Sequence, residues 1–529
     1  MPMSRAPTQN QGGLAVPGAG TLPGVSAPAG EPLAGLIDAV VTATRAVPDD
    51  GGALLRRFLE ERSPAEALSL WLRLTRGAGR PANKEQVVRS LGRAIAALDA
   101  AITGQVNAIL HHPRFQRLES AWRGLHYLVQ QAEGAENVKI RVLSVSWRDL
   151  SRDAERAIEF DQSQLFRKVY SEEFDTPGGE PFGVLLGDFD IRHRLTEEHP
   201  VDDLATLKAI SGVAAAAFAP FVTAAHPALF GLNEFATLEQ PLNLPRTFDQ
   251  LEYLKWQEFR TSEDSRFVGL VLPRVLMRLP YEDDGTRADG FRFREEVTGP
   301  DREKYLWGSA AYAFGAVLIR AFAQSNWLAD IRGVRRDEEG GGIVSGLPVH
   351  SFATDKRGVA AKSSTEVLIS DRQESELSRL GFVPLCHCAD TDYSAFYTNQ
   401  SAQKPKSYDE PGATMNARIS SMLQYTLCVS RFAHYLKAIA RDKMGAFSDP
   451  EDCEDFLHRW LQKYVTPDSE ASAEVKARFP LREARVEVSE QPGKPGSYRC
   501  TAHLWPHFEL EELAATLKVT TELTKGVPG

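Results

Sequence analysis

At 529 residues, with 43% hydrophobic and 25% charged side chains, the chain has material for about two to four folded domains. Its 61 basic and 71 acidic residues leave a net charge of -10, which argues against nucleic-acid binding as its main task, since that normally shows a basic surplus. The five cysteines, Cys386, Cys388, Cys428, Cys453 and Cys500, are too few and too scattered for a disulfide framework and point to a reducing, cytoplasmic setting.

Residues 1–30 carry a single charge, Arg5, among Gly, Pro, Ala, Ser and Gln. Such a tail cannot bury enough apolar surface to offset its ordering entropy, so disorder is expected there. No charged start followed by an apolar run marks an export signal. Short helices follow, with Leu33, Leu36, Ile37, Val40 and Val41 on one face and Leu54, Leu55, Phe58 and Leu59 on another. Ser63-Pro-Ala-Glu66 has the cap-then-Glu form of a helix start. Beyond a Gly/Pro break between Gly77 and Lys84, the residues Leu91, Ile95, Leu98, Ile102, Val106 and Ile109 recur every three or four positions. The spacing predicts a helical region over 31–110 whose early helices are too short to stand alone and dock on something else.

His112 to Val129 reads as one further helix. Its large apolar residues Phe115, Leu118, Trp122, Leu125 and Val129 are separated by three, four, three and four positions, which stacks them on one face. Arg114, Arg117, Glu119 and Arg123 fall between them, and Pro113 suits a first helical turn because the amide it lacks has no partner there. Periodicity alone makes this an amphipathic packing helix with a tryptophan anchor. Together with the 91–109 helix it predicts a helical hairpin broken at His111 to Pro113.

After Gly134 the period changes. Val138, Ile140, Val142 and Val145 lie in a β-rich run, and Phe182 to Gly187 is a short, continuously apolar strand. A helix is expected over Asp203 to Ala219. The alanine-rich window Ala209 to Ala225 contains Pro220 and reads as buried rather than membrane-spanning, because a span needs about 20 strongly apolar residues. Strand, helix, strand recurs at Glu366 to Ile369, Arg372 to Leu380 and Phe382 to Leu385, which implies a mixed α/β body. A long helix is predicted from Asn416 to Lys443, apolar on one side, with Arg418, Arg431, Lys437 and Arg441 on other faces. Another helix covers Asp452 to Val465. Arg485 to Ser489 alternates in the strand manner, Gln491 to Gly496 turns, and Tyr498 to Trp505 returns, with Leu517 to Leu523 as a third strand.

The usual catalytic spacings are absent from the sequence. There is no phosphate loop, no dinucleotide fingerprint, no paired-histidine zinc motif and no nucleophile elbow. Gly340-Gly-Gly342 lacks the following Lys-Ser/Thr, and Asp337-Glu-Glu339 before it repels phosphate. Cys386-His-Cys388 has no second Cys or His pair at zinc spacing and reads as a strand end. His503 and His507 are separated by Pro506, and His111-His112 reads as local structure at a helix start. Asp283-Asp284 and Glu295-Glu296 are adjacent pairs whose side chains, on a strand, point to opposite faces. No catalytic residue, metal or cofactor is assigned. A structural assembly subunit, an enzyme with an unrecognised site and a scaffold or binding module remain open on residues alone.

One of these is favoured by a resemblance. His111-His-Pro-Arg-Phe-Gln-Arg-Leu-Glu-Ser-Ala-Trp-Arg-Gly-Leu125 resembles the signature of the large subunit of the type VI secretion contractile sheath, a phage tail-sheath-like family. Similar wording recurs at Ser262 to Leu270, Leu272-Pro-Arg274, Arg278 to Tyr281, Tyr305 to Gly308, Thr365 to Ser370, Gln403 to Lys406, Arg431 to Lys437 and Pro492 to Tyr498. These blocks run in order from about residue 90 onward; the first 30 residues and the stretch near Pro48 to Arg80 do not match. The resemblance implies a helical N-terminal region over 31–110 that associates with a partner, an α/β sheath domain over 111–375 and a C-terminal sheath domain over 376–529 with a terminal β-hairpin. It implies a structural protein that pairs with a small sheath subunit, polymerises with copies of itself around an inner tube on a baseplate, contracts, and is recycled by an ATP-driven unfoldase. Under it, the stripe Phe115, Leu118, Trp122, Leu125 and Val129 packs on the partner subunit. Arg485, Val486, Glu487 and Val488, with Tyr498, Arg499, Cys500, Thr501, Ala502, His503, Leu504 and Trp505, form strands shared between protomers. Arg418, Arg431, Lys437 and Arg441 are candidates to face the tube.

Overall fold

A computed structural model describes residues 51–74, 84–286, 290–297, 302–334, 340–353, 360–442, 450–468, 470–490 and 498–507. The sequence-based expectations for residues 1–30, for the 33–41 helix and for a strand at 517–523 lie outside these residues. The chain divides into two compact units, 1–98 and 99–529. In the first, α1 (Gly51–Glu60) and α2 (Pro64–Leu74) realise the two short helices, and the long α3 (Lys84–Leu110) begins. Its Ile95 and Leu98 are exposed.

The larger unit opens with the last turns of α3, followed by α4 (Pro113–Gln131) and α5 (Trp147–Arg156). The two-residue break before α4 forms as the spacing predicts. His112 is the N-cap, its ring nitrogen accepting from the Arg114 amide at 3.2 Å, and Pro113 takes the first turn. Next comes the main sheet. Strand β1 (Leu185–Ile191), helix α6 (Asp203–Ala217), strand β2 (Phe221–Ala225), helix α7 (Leu254–Thr261) and strand β3 (Val268–Leu272) make two parallel crossovers. β2 and β3 are apolar runs, save Thr223 and Gly269, buried along their whole length, as strands covered on both faces must be. Helix α8 (Ala310–Ser325), strand β4 (Ile343–Val344), helix α9 (Asp371–Arg379), strand β5 (Val383–His387) and strand β6 (Ser394–Phe396) complete it. The strand order is β1-β2-β3-β5-β6-β4, parallel as far as β5 and antiparallel beyond.

Two apolar clusters line this sheet. One contains Leu207 and Ile210 of α6, Phe221, Leu270, Trp256 and Phe382; the other contains Val222, Val271, Leu385 and, from α8, Phe314 and Val317. Adjacent residues of β2, Phe221 and Val222, fall in different clusters, as the two-residue strand period requires. The result is a mixed α/β sandwich. A third cluster is aromatic and separate. Here α11 (Leu423–Asp442), which follows α10 (Pro411–Ser420), meets α12 (Pro450–Gln462) and the hairpin of β7 (Leu481–Glu490) and β8 (Tyr498–Pro506) around Trp327, Phe432 and Leu461.

Four expectations are corrected. Residues 138–145 are no strand: Asn137 bonds Asn326 at 2.6 Å, Lys139 and Arg141 are held by Glu180 and Glu173, and Val142 and Leu143 lie exposed with no ladder. The strand placed at 182–187 runs three residues later, over Leu185–Ile191. Glu366 to Ile369 is irregular; only Thr365 bridges Val275, and the Glu366 side chain turns to Arg274. The Asn416 to Lys443 helix is interrupted at Ser421 and Met422. There the backbone leaves the helical ladder to bond the 399–401 segment, with Leu423 N to Asn399 O at 2.8 Å and Ser401 N to Ser421 O at 3.0 Å.

Candidate functional site

The helix α4 has two working faces. Ser120, Gly124, Tyr127 and Leu128 are buried, with Tyr127 Oη donating to Ser345 O at 2.7 Å. The close approach to α8 depends on Gly124, where a Cβ would stand 2.4 Å from the Tyr312 ring. At 100° per residue this face is centred about 155° from the predicted apolar stripe. Consequently Leu118, Trp122 and Val129 are 55%, 66% and 52% exposed, while Phe115 and Leu125 are half-buried. The stripe is real as a pattern but is not the face that packs inside the chain. Sequence reasoning missed the buried face because Ser120 and Gly124 carry no apolar signal and Tyr127 and Leu128 alone are too few to show a period.

A buried ionic clasp fixes how α4 presents that stripe. Arg278 bonds Glu119 of α4 at 2.9 Å and grips Glu295 with two nitrogens at 2.5 and 3.1 Å. Glu295 also accepts from the Tyr281 amide at 3.0 Å and meets His111 Nε2 at 3.2 Å. Burial alone would raise the Glu295 carboxyl, but the Arg278 and Tyr281 hydrogen bonds outweigh it and hold the group below the ordinary carboxylate range. Arg123 joins through Glu119 at 2.8 Å and Tyr281 Oη at 3.1 Å. Asn107 Oδ1 accepts from the Glu296 amide at 3.1 Å, tying the end of α3 to the same segment. The adjacent Glu295-Glu296 pair is therefore structural: one side chain is clasped, and the next residue contributes its amide.

At the other end of the chain, the predicted terminal strands pair with each other. Val486 faces Ala502, Arg485 faces His503 and Val488 faces Cys500 across an antiparallel register. Ala484 and Val486 are buried toward α12, and Glu454 of α12 accepts from the Val488 amide at 2.8 Å. Arg485, Glu487, Arg499, Thr501, His503 and Trp505 lie on the exposed face. The outer edge of β7 is engaged by its own chain, Leu481 bridging Val465, Gln462 reaching the Ala484 carbonyl at 3.3 Å and Glu454 the Val488 amide, so among the described residues the open edge of this two-stranded sheet is that of β8.

The basic residues of α10 and α11 differ in what they touch within the chain. Lys437 is drawn to Asp175 at 2.8 Å and lies 3.8 Å above the Phe174 ring. Arg441 donates to Thr176 O and Phe174 O at 2.8 and 2.9 Å. Arg431 bonds Tyr435 Oη at 3.2 Å and His434 Nδ1 at 3.1 Å. These three are spent on packing within the chain, which leaves Arg418 as the exposed member of the set. Cys386 and His387 are buried, and no group of three or more His, Cys, Asp or Glu fit to hold a metal occurs among the described residues. No described helix is long and apolar enough to cross a membrane.

Residues 92–403 match the family model described as EvpB/VC_A0108, tail sheath N-terminal domain, and residues 412–523 the model described as EvpB/VC_A0108, tail sheath gpW/gp25-like domain. A relative in Pseudomonas aeruginosa, described as type VI secretion system sheath protein TssC1, is 44% identical over 439 residues, covering 82% of this chain and 86% of the relative. Among solved structures, a chain of the anti-feeding prophage baseplate aligns at 10% identity and a TM-score of 0.34 over 73% of this chain and 84% of its own length. A contracted PVC sheath chain from an extracellular contractile injection system aligns at 9% and 0.32 over 60% and 68%. Those two likenesses are too slight to bear on function.

Proposed function

We propose that this chain, which belongs to the tail sheath protein family of type VI secretion, is the large structural subunit of a contractile sheath in the cytoplasm. It pairs with a small sheath subunit, stacks helically with copies of itself around an inner tube seated on a baseplate, and drives tube and spike outward on contraction. An ATP-driven unfoldase then takes the contracted form apart. The energy is stored in the difference between two packings of the same subunits, so the chain itself has no need of an active site.

The observation that carries the pairing is the outward stripe of α4. Covering the still-exposed half to two-thirds of Leu118, Trp122 and Val129 is worth about 1–2 kcal/mol each, and an apolar stripe held in place by a buried clasp is what a permanent partner requires. The outer edge of β8, unpaired among the described residues, supports strand addition between neighbours, in which main-chain hydrogen bonds hold while linkers flex. Co-expression with a small sheath subunit, followed by negative-stain microscopy, tests the whole reading: long hollow tubules are expected, and monodisperse particles would refute it. The pairing face has its own test. Trp122→Ala is expected to leave the unfolding free energy of the isolated chain nearly unchanged, within about 0.5 kcal/mol, because the ring touches little of its own chain. The same variant is expected to lose most of the co-purifying partner, and retention at the parental ratio would exclude the stripe.

A further inference from the structure

Three adjacent parallel strands end on one hollow. Asp190 near the end of β1, His226 just after β2 and Arg274 just after β3 line a crevice of about 200 Å³, closed by Asn233, Glu234, Arg302, Glu303 and Glu366. In open α/β sheets the carboxyl ends of the strands are where small ligands are held, and 200 Å³ exceeds the ~150 Å³ that accepts one benzene ring. Pro227 and the buried Phe235 supply an apolar wall.

The charges in the hollow do not cancel. Arg274 is held in a fork by Glu366, with both bonds at 2.7 Å, and Arg302 is held by Glu239 at 3.1 Å. His226 adds nothing positive, because burial, Arg192 and Arg274 depress it to about 4. Asp190, Glu234 and Glu303 have no ion pair among the described residues. Arg274, Arg117 and Arg192 each favour the Asp190 charge, and the desolvation of its carboxyl at the strand ends outweighs them and raises its proton affinity.

We infer that this crevice binds an organic cation, a guanidinium or primary ammonium group, through Asp190, Glu234 and Glu303, with Pro227 and Phe235 beneath its apolar part. A bare metal ion suits it poorly: its carboxylates surround a space of molecular size, and they do not converge as a coordination shell. A planar guanidinium satisfies separated carboxylates and an apolar wall together. The cation has two sources, a free small molecule or the Arg or Lys side chain of a neighbouring subunit.

Calorimetry on the full-length, unassembled chain tests the free source independently of sheath formation, and tubule formation by the same variants tests a neighbour's side chain. Arginine ethyl ester is the probe, and the citrulline ester is its uncharged counterpart. Binding of the first and not the second is expected, weakened at least about tenfold by Asp190→Asn and by the rim variant Glu303→Gln, which leaves the buried strand ends intact. If the ester does not bind but both variants, with unchanged circular dichroism, lose tubule formation, the cation comes from a neighbour's side chain. Equal binding of both esters, or no binding together with undisturbed assembly in both variants, overturns the proposal.

Discussion

Asp188 lies two residues before Asp190 on β1, and the two carboxylates share a face of the strand. Burial and the neighbouring Asp190 push Asp188 up to about 6, against the offsetting Tyr312 hydroxyl and the Arg117 charge. An ordinary aspartate in the unfolded chain titrates near 3.9. Between these values the folded state holds the extra proton, so stability falls as pH rises through that window, and the full penalty stands above about pH 6. Asp188→Asn is therefore expected to match the parent near pH 4 and to melt higher than it at pH 7. The gain is modest because solvent reaches the side chain, and a variant weakened equally at every pH would refute the assignment. None of this was legible in the sequence. The strand was placed three residues early, and alternating Asp residues on an edge strand look like a solvated face. Trp122 was legible as one member of a stripe, because 3-4 spacing fixes which side chains align; which side of the helix meets the core was not, since Gly124 and Ser120 are buried through smallness alone.

At the scale of elements, the amphipathic helices and the terminal hairpin follow the residue pattern closely, while segments whose backbone is claimed by distant residues do not. Residues 138–145 have strand composition, but β structure needs an edge to pair with, and no local pattern tells whether one is offered. The break at Ser421 likewise comes from residues 399–401, some twenty positions away in sequence. The basic side of α11 shows the same limit. Periodicity placed Lys437 off the apolar face, and the structure turns it onto Asp175 and Phe174, whose ring it covers at 3.8 Å. The bond to Lys437 holds the Asp175 carboxyl below its usual range. Lys437→Glu is then expected to destabilise the folded chain by about 1–2 kcal/mol, by losing the ring contact and setting two carboxylates together. Denaturant unfolding of the isolated chain measures it. Unchanged stability combined with failed tube-dependent assembly would instead return Lys437 to the tube-facing surface.

For the molecule as a whole, contraction demands that subunits move while remaining joined, and the separateness of the aromatic C-terminal cluster matters here. The two clusters on the main sheet share no residue with the one built from Trp327, Phe432, Leu461, Ala484 and Val486. A hairpin on its own small core can be held by a neighbour without straining the sheet, and the face of α4 proposed for pairing lies on a helix whose buried side, through Tyr127, packs in a cluster of the main sheet. Deleting residues 484–529 is therefore expected to leave the main sheet folded and the small subunit still co-purifying, since the Arg278 clasp and the α4 stripe are untouched. The shortened chain uncovers part of the Trp327 and Phe432 cluster, so some loss of stability is expected there. Polymerisation should stop altogether: size-exclusion chromatography would give a heterodimer, and negative-stain grids would show no tubules. Sheaths of normal length from this truncation would mean that the hairpin closes only on itself and that neighbours are joined elsewhere.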